Sequence, residues 1–342
     1  MPNKALYATA AASVVAAFSV VQYAGTDVHA QGPVNTSDAV EAANWADNVT
    51  ITISEARDSF RFESDGIPSH GFAEQYLIPS NPMDQPFSNK PAEFFKVVNS
   101  DEYFQATPVD TTITTLPTYV QDVTDTTLGR IGVAITGAQI FNDYEDPNRS
   151  VVAKDDQAIH DHVAFLDECN GHTLVDGTSY HYHGIPVCIT AEMDQEGAHS
   201  QMIGVLADGF PVYGNNGEGG AVVTNADLDE CSGHTGATPE FPDGIYHYHL
   251  TADEAPYMIN CYHGEVPEDV VAAGGGQPDL GAVATQLGVT EEALRDALGT
   301  AVPPDFAAAA DALGVSEEDL RGALPGGPGG PDGPGGAGRQ GG

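Results

Sequence analysis

The tetrapeptide Tyr-His-Tyr-His occurs twice, at Tyr180–His183 and Tyr246–His249, and each copy follows an Asp-Glu-Cys-x-Gly-His segment, Asp167–His172 and Asp229–His234. A chain built this way has to make one local structure twice. In an extended strand successive side chains point to opposite faces. His181 and His183 therefore share one face and Tyr180 and Tyr182 the other, with His247 and His249 set likewise against Tyr246 and Tyr248. The duplication reaches further, because Ile131–Asn142 aligns without a gap to Ile203–Gly214. Each unit opens on a hairpin-like apolar, glycine, apolar pattern and runs through a Gly/Asn/Asp-rich loop to the Cys-x-Gly-His segment. A short turn at Asp176-Gly177 or Asp243-Gly244 then leads into the histidine strand. Unit one covers residues 131–189 and unit two residues 203–264.

Upstream, Val49–Ile53 and Ser59–Glu63 alternate apolar with polar residues as half-buried strands do, which makes residues 31–130 the β-rich first part of the core. Asp65-Gly66-Ile67-Pro68 supplies turn chemistry, and the Pro and Gly scattered through 64–118 argue against long helices there. Downstream the composition changes. Asp279–Gly299 and Asp305–Pro325 match at a constant offset, and Leu287–Glu292 recurs as Leu313–Glu318. Thr290 and Ser316 suit helix N-caps, and Leu294/Leu298 and Leu320/Leu324 form i, i+4 apolar pairs. Residues 279–325 thus read as a small helical repeat appendage that packs on itself or a partner, and 326–342 as a flexible Gly/Pro-rich tail. The fold class is mainly β: a disulfide-stapled, β-rich domain with internal duplication, plus a small C-terminal α-helical repeat segment.

Fifty acidic against eleven basic residues give a net charge of −39. Such a surface repels nucleic acid and anionic membranes and favours metal cations or basic partners, although a saline setting explains the same charge without any ligand. Lys4, the apolar stretch Ala5–Val21 and Val28-His29-Ala30 read as a signal peptide over residues 1–30, cleaved before Gln31, with an uncleaved membrane anchor as the alternative, so the protein is expected to be secreted: periplasmic or extracellular. Outside the cytosol thiols tend to pair. The repeat frame offers one pair per unit, Cys169 with Cys188 and Cys231 with Cys261, among three possible connectivities. No Cys-x-x-Cys spacing supports a Cys/His zinc site.

In each unit the His-x-His pair can be joined by the Gly-His histidine: His172 with His181 and His183, and His234 with His247 and His249. Three neutral nitrogen donors of this kind suit copper or zinc and leave one position open for water or substrate. Asp167, Glu168, Asp229 and Glu230 are placed to orient the imidazoles, a role carboxylates often take behind metal ligands. The bland alternative is that these histidines are hydrogen-bonded core residues of a metal-free structural or adhesive module. Whether the units keep separate sites or pool their side chains into one is open. His160-Asp161-His162 is a third, local His-x-His, while His70 and His199 on their own residues read as solvated or core histidines. No nucleophile elbow, His-Glu-x-x-His, phosphate loop or dinucleotide fingerprint is present. A metal-dependent hydrolase or oxidase using the open position is the alternative with chemistry.

The segment Gly204–Gly264, with Ala207–Gly214, Leu228–His234, Tyr246–His249 and Cys261–Gly264, closely resembles the YHYH domain family of mostly exported proteins. The resemblance extends over about residues 60–264, because Gly66–His70 and Asp167–His183 also look like family elements. It implies no established reaction. It does imply interest in His70, His172, His181, His183, His199, His234, His247 and His249 as a shared site, and it supports the Cys231–Cys261 pair.

Overall fold

The computed structural model describes residues 34–82, 84–146, 148–266, 283–284, 287–298, 306–316 and 320. The expected signal peptide, the tail over 326–342 and part of the helical appendage lie outside the described residues.

The described core has four sheets. The first joins β1 (Val49–Ile53), β2 (Ser59–Ser64) and β5 (Val109–Thr114) antiparallel. The second joins β3 (Gln75–Pro79), β4 (Phe95–Asn99), β9 (Ile159–His160) and β10 (Val163–Ala164). A ribbon pairs β6 (Tyr119–Asp125) with β17 (Cys261–Gly264). Helices are short: α1 is Ser37–Ala42, α2 Ser100–Tyr103 and α3 Val187–Met193.

The central sheet holds both repeats. Unit one contributes β7 (Gly132–Ala134), β8 (Gln139–Ile140), β11 (Gly171–His172) and β12 (His181–Tyr182). Unit two contributes β13 (Met202–Leu206), β14 (Pro211–Tyr213), β15 (Gly233–Gly236) and β16 (Ile245–His249). Their order is β11-β12-β8-β7-β13-β14-β16-β15, a palindrome in which each strand meets its repeat counterpart on the other side of the centre. The central antiparallel pair has Gly132 opposite Leu206, Val133 opposite Val205 and Ala134 opposite Gly204. Val133 and Val205 are also repeat-equivalent, so a pseudo-twofold axis perpendicular to the sheet passes between them.

Directly paired residues point to the same face. His181 lies opposite Gln139, Gln139 opposite Val133, Val133 opposite Val205, and Val205 opposite Pro211. Two residues on from Pro211, Tyr213 lies opposite His249. Both histidine sets thus share one face, and its middle is covered where Val133, Val205 and Tyr213 pack with Phe60, Phe62 and Ile113 of the three-stranded sheet. Tyr180, Tyr182, Tyr246 and Tyr248 fill the opposite face together with Ile140, Leu206 and Phe210. Five strand spacings of about 4.8 Å separate β12 from β16, roughly 24 Å in all. The units therefore do not pool their histidines.

Disulfides Cys169–Cys188 and Cys231–Cys261 close one loop around each histidine strand, which is the pairing the repeat favours. The residue between each first cysteine and its glycine, Asn170 or Ser232, is left-handed at φ 59° or 66°. This turns the chain so that the tyrosine of the next strand lies over the glycine. A Cβ on Gly171 would collide with the Tyr180 hydroxyl, and one on Gly233 with that of Tyr246. Gly233→Ala should destabilise by about 1–3 kcal/mol, as overpacking does, which denaturant unfolding would register as a lower midpoint at unchanged slope.

In the C-terminal segment, α4 (Glu291–Leu298) is capped by the Thr290 hydroxyl, which accepts from the Ala293 N–H at 3.1 Å. With α5 (Phe306–Leu313) it buries a cluster that includes Val283, Leu294, Ala309 and Leu320. The repeat is visible in equivalent backbone bonds, Val289 N–H to Ala284 and Val315 N–H to Ala310.

Candidate functional site

On the histidine face each unit gathers a cluster of imidazoles, and the backbone fixes which ring nitrogen points inward. A carbonyl oxygen can only accept, so a ring nitrogen bonded to one must carry the proton. His181 Nδ1 donates to the Ser179 carbonyl at 2.7 Å and His183 Nδ1 to that of Asn142 at 2.7 Å. In unit two His247 Nδ1 donates to Ile245 at 2.9 Å and His249 Nδ1 to Gly214 at 2.6 Å. Asn142 and Gly214 are aligned positions of the repeat, so the tautomer is set the same way in both. Each neutral ring then presents an Nε2 lone pair to the cluster.

Those lone pairs converge. His181 Nε2 and His183 Nε2 are 3.1 Å apart, and His247 Nε2 lies 3.0 Å from His249 Nε2 and 3.1 Å from His234 Nε2. His172 completes the first cluster from the strand beside His181. His199 completes the second, its Nδ1 donating to the Ser200 carbonyl and its ring lying 5.3 and 5.1 Å from those of His247 and His249. Phe141 stacks on His181, and its repeat counterpart Tyr213 packs edge-on against His199 and His247.

Unit one has a further member that sequence reasoning passed over. The Glu145 Oε1 atom lies 3.2 Å from His172 Nε2 and 3.1 Å from His183 Nε2, within ion-pair reach, but without the angles of a hydrogen bond. Its loop is held rigidly. Asp143 accepts from the N–H groups of Tyr257 and Met258, Asp146 from those of Ser150 and Val151, and Arg149 reaches the carbonyls of Thr126 and Asn260. As part of Asp-Tyr-Glu-Asp, Glu145 reads as one more solvated acid. The available signal was its position three residues past Asn142, just beyond the end of the aligned repeat segment.

Among the described residues, four buried side-chain polar atoms lack a hydrogen-bond partner, and three of them are Glu145 Oε1, His172 Nε2 and His199 Nε2. The fourth is the hydroxyl of Thr173, next to His172. Unpaired buried polar atoms are costly and concentrate where a ligand supplies the missing partner. Burial, reinforced by the neighbouring imidazoles, keeps the pKa values of His181 and His247 well below the ordinary value. Burial likewise lowers His234 and takes His249 to about 3. Burial would raise the Glu145 carboxyl, and the charge that His172 and His183 carry when protonated overcomes this and holds it well below the usual range.

Several expected members stand elsewhere. His70 is on the tyrosine face, its Nε2 2.7 Å from the Tyr182 hydroxyl and its Nδ1 3.3 Å from Cys169 Sγ, so it is not part of a shared site. Contrary to the expectation from the sequence, Asp167 and Asp229 do not orient the clustered imidazoles. Each sits at the tight Cys-x-Gly turn and is saturated there, accepting from the N–H groups of Cys169 and Gly171, or Cys231 and Gly233. Each also accepts a tyrosine hydroxyl, Tyr180 or Tyr246. Glu168 is exposed beside that turn, and Glu230 approaches His263, at 3.7 Å, and not the clustered imidazoles. Orientation comes from main-chain carbonyls instead. His160 packs on Phe95 and His162 is exposed, both away from the clusters.

Residues 110–220 and 218–264 match the family described as YHYH protein. The chain therefore carries a YHYH domain, over a shorter stretch than the expected 60–264. No curated protein and no solved structure matches the chain. Among the described residues no helix is long and apolar enough to cross a membrane.

Proposed function

We propose that this is an exported protein whose YHYH domain binds two transition-metal ions, copper or zinc, one in each unit. The first would be held by His172, His181, His183 and Glu145, the second by His199, His234, His247 and His249. The observation that carries the reading is the convergence of Nε2 lone pairs at about 3 Å on rings whose Nδ1 protons are committed to carbonyls. A shared proton could bridge one nitrogen pair; it would leave His199 Nε2 and His172 Nε2 unpartnered. A single cation would meet at once the three donors that lie within 4.8 Å of one another in each cluster, His172, His181 and His183 or His199, His247 and His249, with Glu145 or His234 beside them. Export supplies the oxidising surroundings in which two disulfides persist.

Burial favours holding a metal over hydrolysis at it. His181 and His183 are 2% exposed and His247 and His249 0%, which resembles the closed ligand sets of structural or carrier sites. Two surface pockets, of about 250 and 240 Å³, open beside Asp167 and Glu168 and not onto either cluster.

Thermal unfolding tests the reading. Metal in excess over its dissociation constant should stabilise the fold, by about 2.7 kcal/mol per site at one hundred times Kd. Failure of both copper and zinc to raise Tm at neutral pH would defeat it. In chelator-stripped protein the acid response has a definite sign. The folded pKa values of His181, His247 and His249 lie below the unfolded value of about 6.5, so the unfolded chain takes up protons first. The stability these rings contribute is complete above about pH 6.5 and declines as pH falls towards the depressed values, about 3 for His249.

A further inference from the structure

We infer that the two centres are not interchangeable: the Glu145 centre takes a divalent ion such as Zn²⁺, and the all-histidine centre takes monovalent copper. The inference rests on the metal reading above and follows from how the two buried clusters differ in charge.

Both clusters sit beneath the same face of one sheet, with matching strands, tautomers and backbone acceptors. What distinguishes them is one ligand. Unit one places the Glu145 carboxylate against His172 and His183, and the side chain of Glu145 is only 13% exposed. Among the described residues the clustered group of unit two holds no carboxylate, and its additional donor is the imidazole of His199. The carboxylates that bear on that cluster, Asp229 and Asp227, act on His234 only as neighbours and touch none of the four rings.

The self-energy of a buried ion grows with the square of its net charge, and the penalty is large where water is excluded. A divalent ion with three neutral imidazoles and one carboxylate leaves a net charge of +1. The same ion among four neutral imidazoles leaves +2, with His247 and His249 fully buried. Monovalent copper among four imidazoles restores +1. Ligand chemistry points the same way, since imidazole accepts copper and zinc alike whereas a carboxylate is the harder donor and adds little for a soft monovalent ion.

The test uses the full chain, stripped by chelator, in variants that leave one centre intact: His181→Ala/His183→Ala leaves the all-histidine centre, and His247→Ala/His249→Ala leaves the Glu145 centre. Zn²⁺ and Cu⁺, the latter kept reduced by ascorbate, are each titrated in competition with a chromophoric chelator, with circular dichroism confirming the fold. The Glu145 centre should favour Zn²⁺, relative to the all-histidine centre, by more than about tenfold. Because a double-histidine variant could unfold, Glu145→Gln is also made in the otherwise unaltered chain. It keeps the shape, and should weaken Zn²⁺ at that centre by more than about tenfold while leaving Cu⁺ binding nearly unchanged. Equal Zn²⁺/Cu⁺ preference at the two centres, or an unaltered Zn²⁺ affinity in Glu145→Gln, overturns this inference while leaving the metal reading in place. Absence of both metals from every folded variant overturns both.

Discussion

Replacing His247 and His249 by alanine should halve the bound metal, from two ions per chain to one, with the fold retained. The expectation follows from position. His247 and His249 are grouped with His199, and His247 lies beside His234, so removing both takes away two of the four proposed donors and leaves His199 and His234 alone. The first cluster, roughly 24 Å away across the sheet, keeps its ligands. The same exchange at His181 and His183 should remove the other ion. Elemental analysis with circular dichroism separates these outcomes, and a double mutant that retains both ions would show that the rings are not ligands.

Changes on the other face of the same strand should act on folding. Tyr248 is fully buried, donates to Asp208 at 2.6 Å and accepts from the His263 N–H at 2.9 Å. Asp208 is buried too, also accepts from the N–H groups of Phe210 and Gly264, and is pushed up to about 6 by burial. Tyr248→Ala should cost about 3–5 kcal/mol, as for other large aromatics, because it removes the ring and strips Asp208 of its hydroxyl donor. Tyr248→Phe keeps the ring and should cost about 1–3 kcal/mol, because buried Asp208 loses its hydroxyl donor and the His263 N–H loses its acceptor. Metal content should stay at two ions in any fraction that folds, which distinguishes this face from the histidine face.

The contrast between faces could be read from Tyr-His-Tyr-His directly, since a period of two admits no other arrangement in a strand. The duplication was equally legible, down to the aligned Asn142 and Gly214 whose carbonyls hold His183 and His249. The repeat frame likewise identified the cysteine pairs, because each closes a loop around its own strand. Long-range pairing was not legible. Nothing local states that Val133 meets Val205, and it is that pairing which sets the two histidine clusters apart toward opposite ends of the sheet. Glu145 and His199 were missed or discounted for the same reason: both reach their clusters from loops whose course is set by distant partners, such as Asn260 and Met258 for the loop of Glu145. Asp167 and Asp229 were misassigned because a carboxylate near histidines in sequence was expected to stay near them in space. The left-handed residue after each cysteine carries the chain across to the tyrosine face instead.

The most direct measurement is the metal content of the full chain produced without a His tag and purified at neutral pH in the absence of chelators. The account predicts close to two ions of copper and zinc combined per chain, bound through histidine nitrogens. Protein that is folded, has both disulfides formed, and neither contains nor takes up either metal would contradict it, and the clustered imidazoles would then be buried core residues of a structural module.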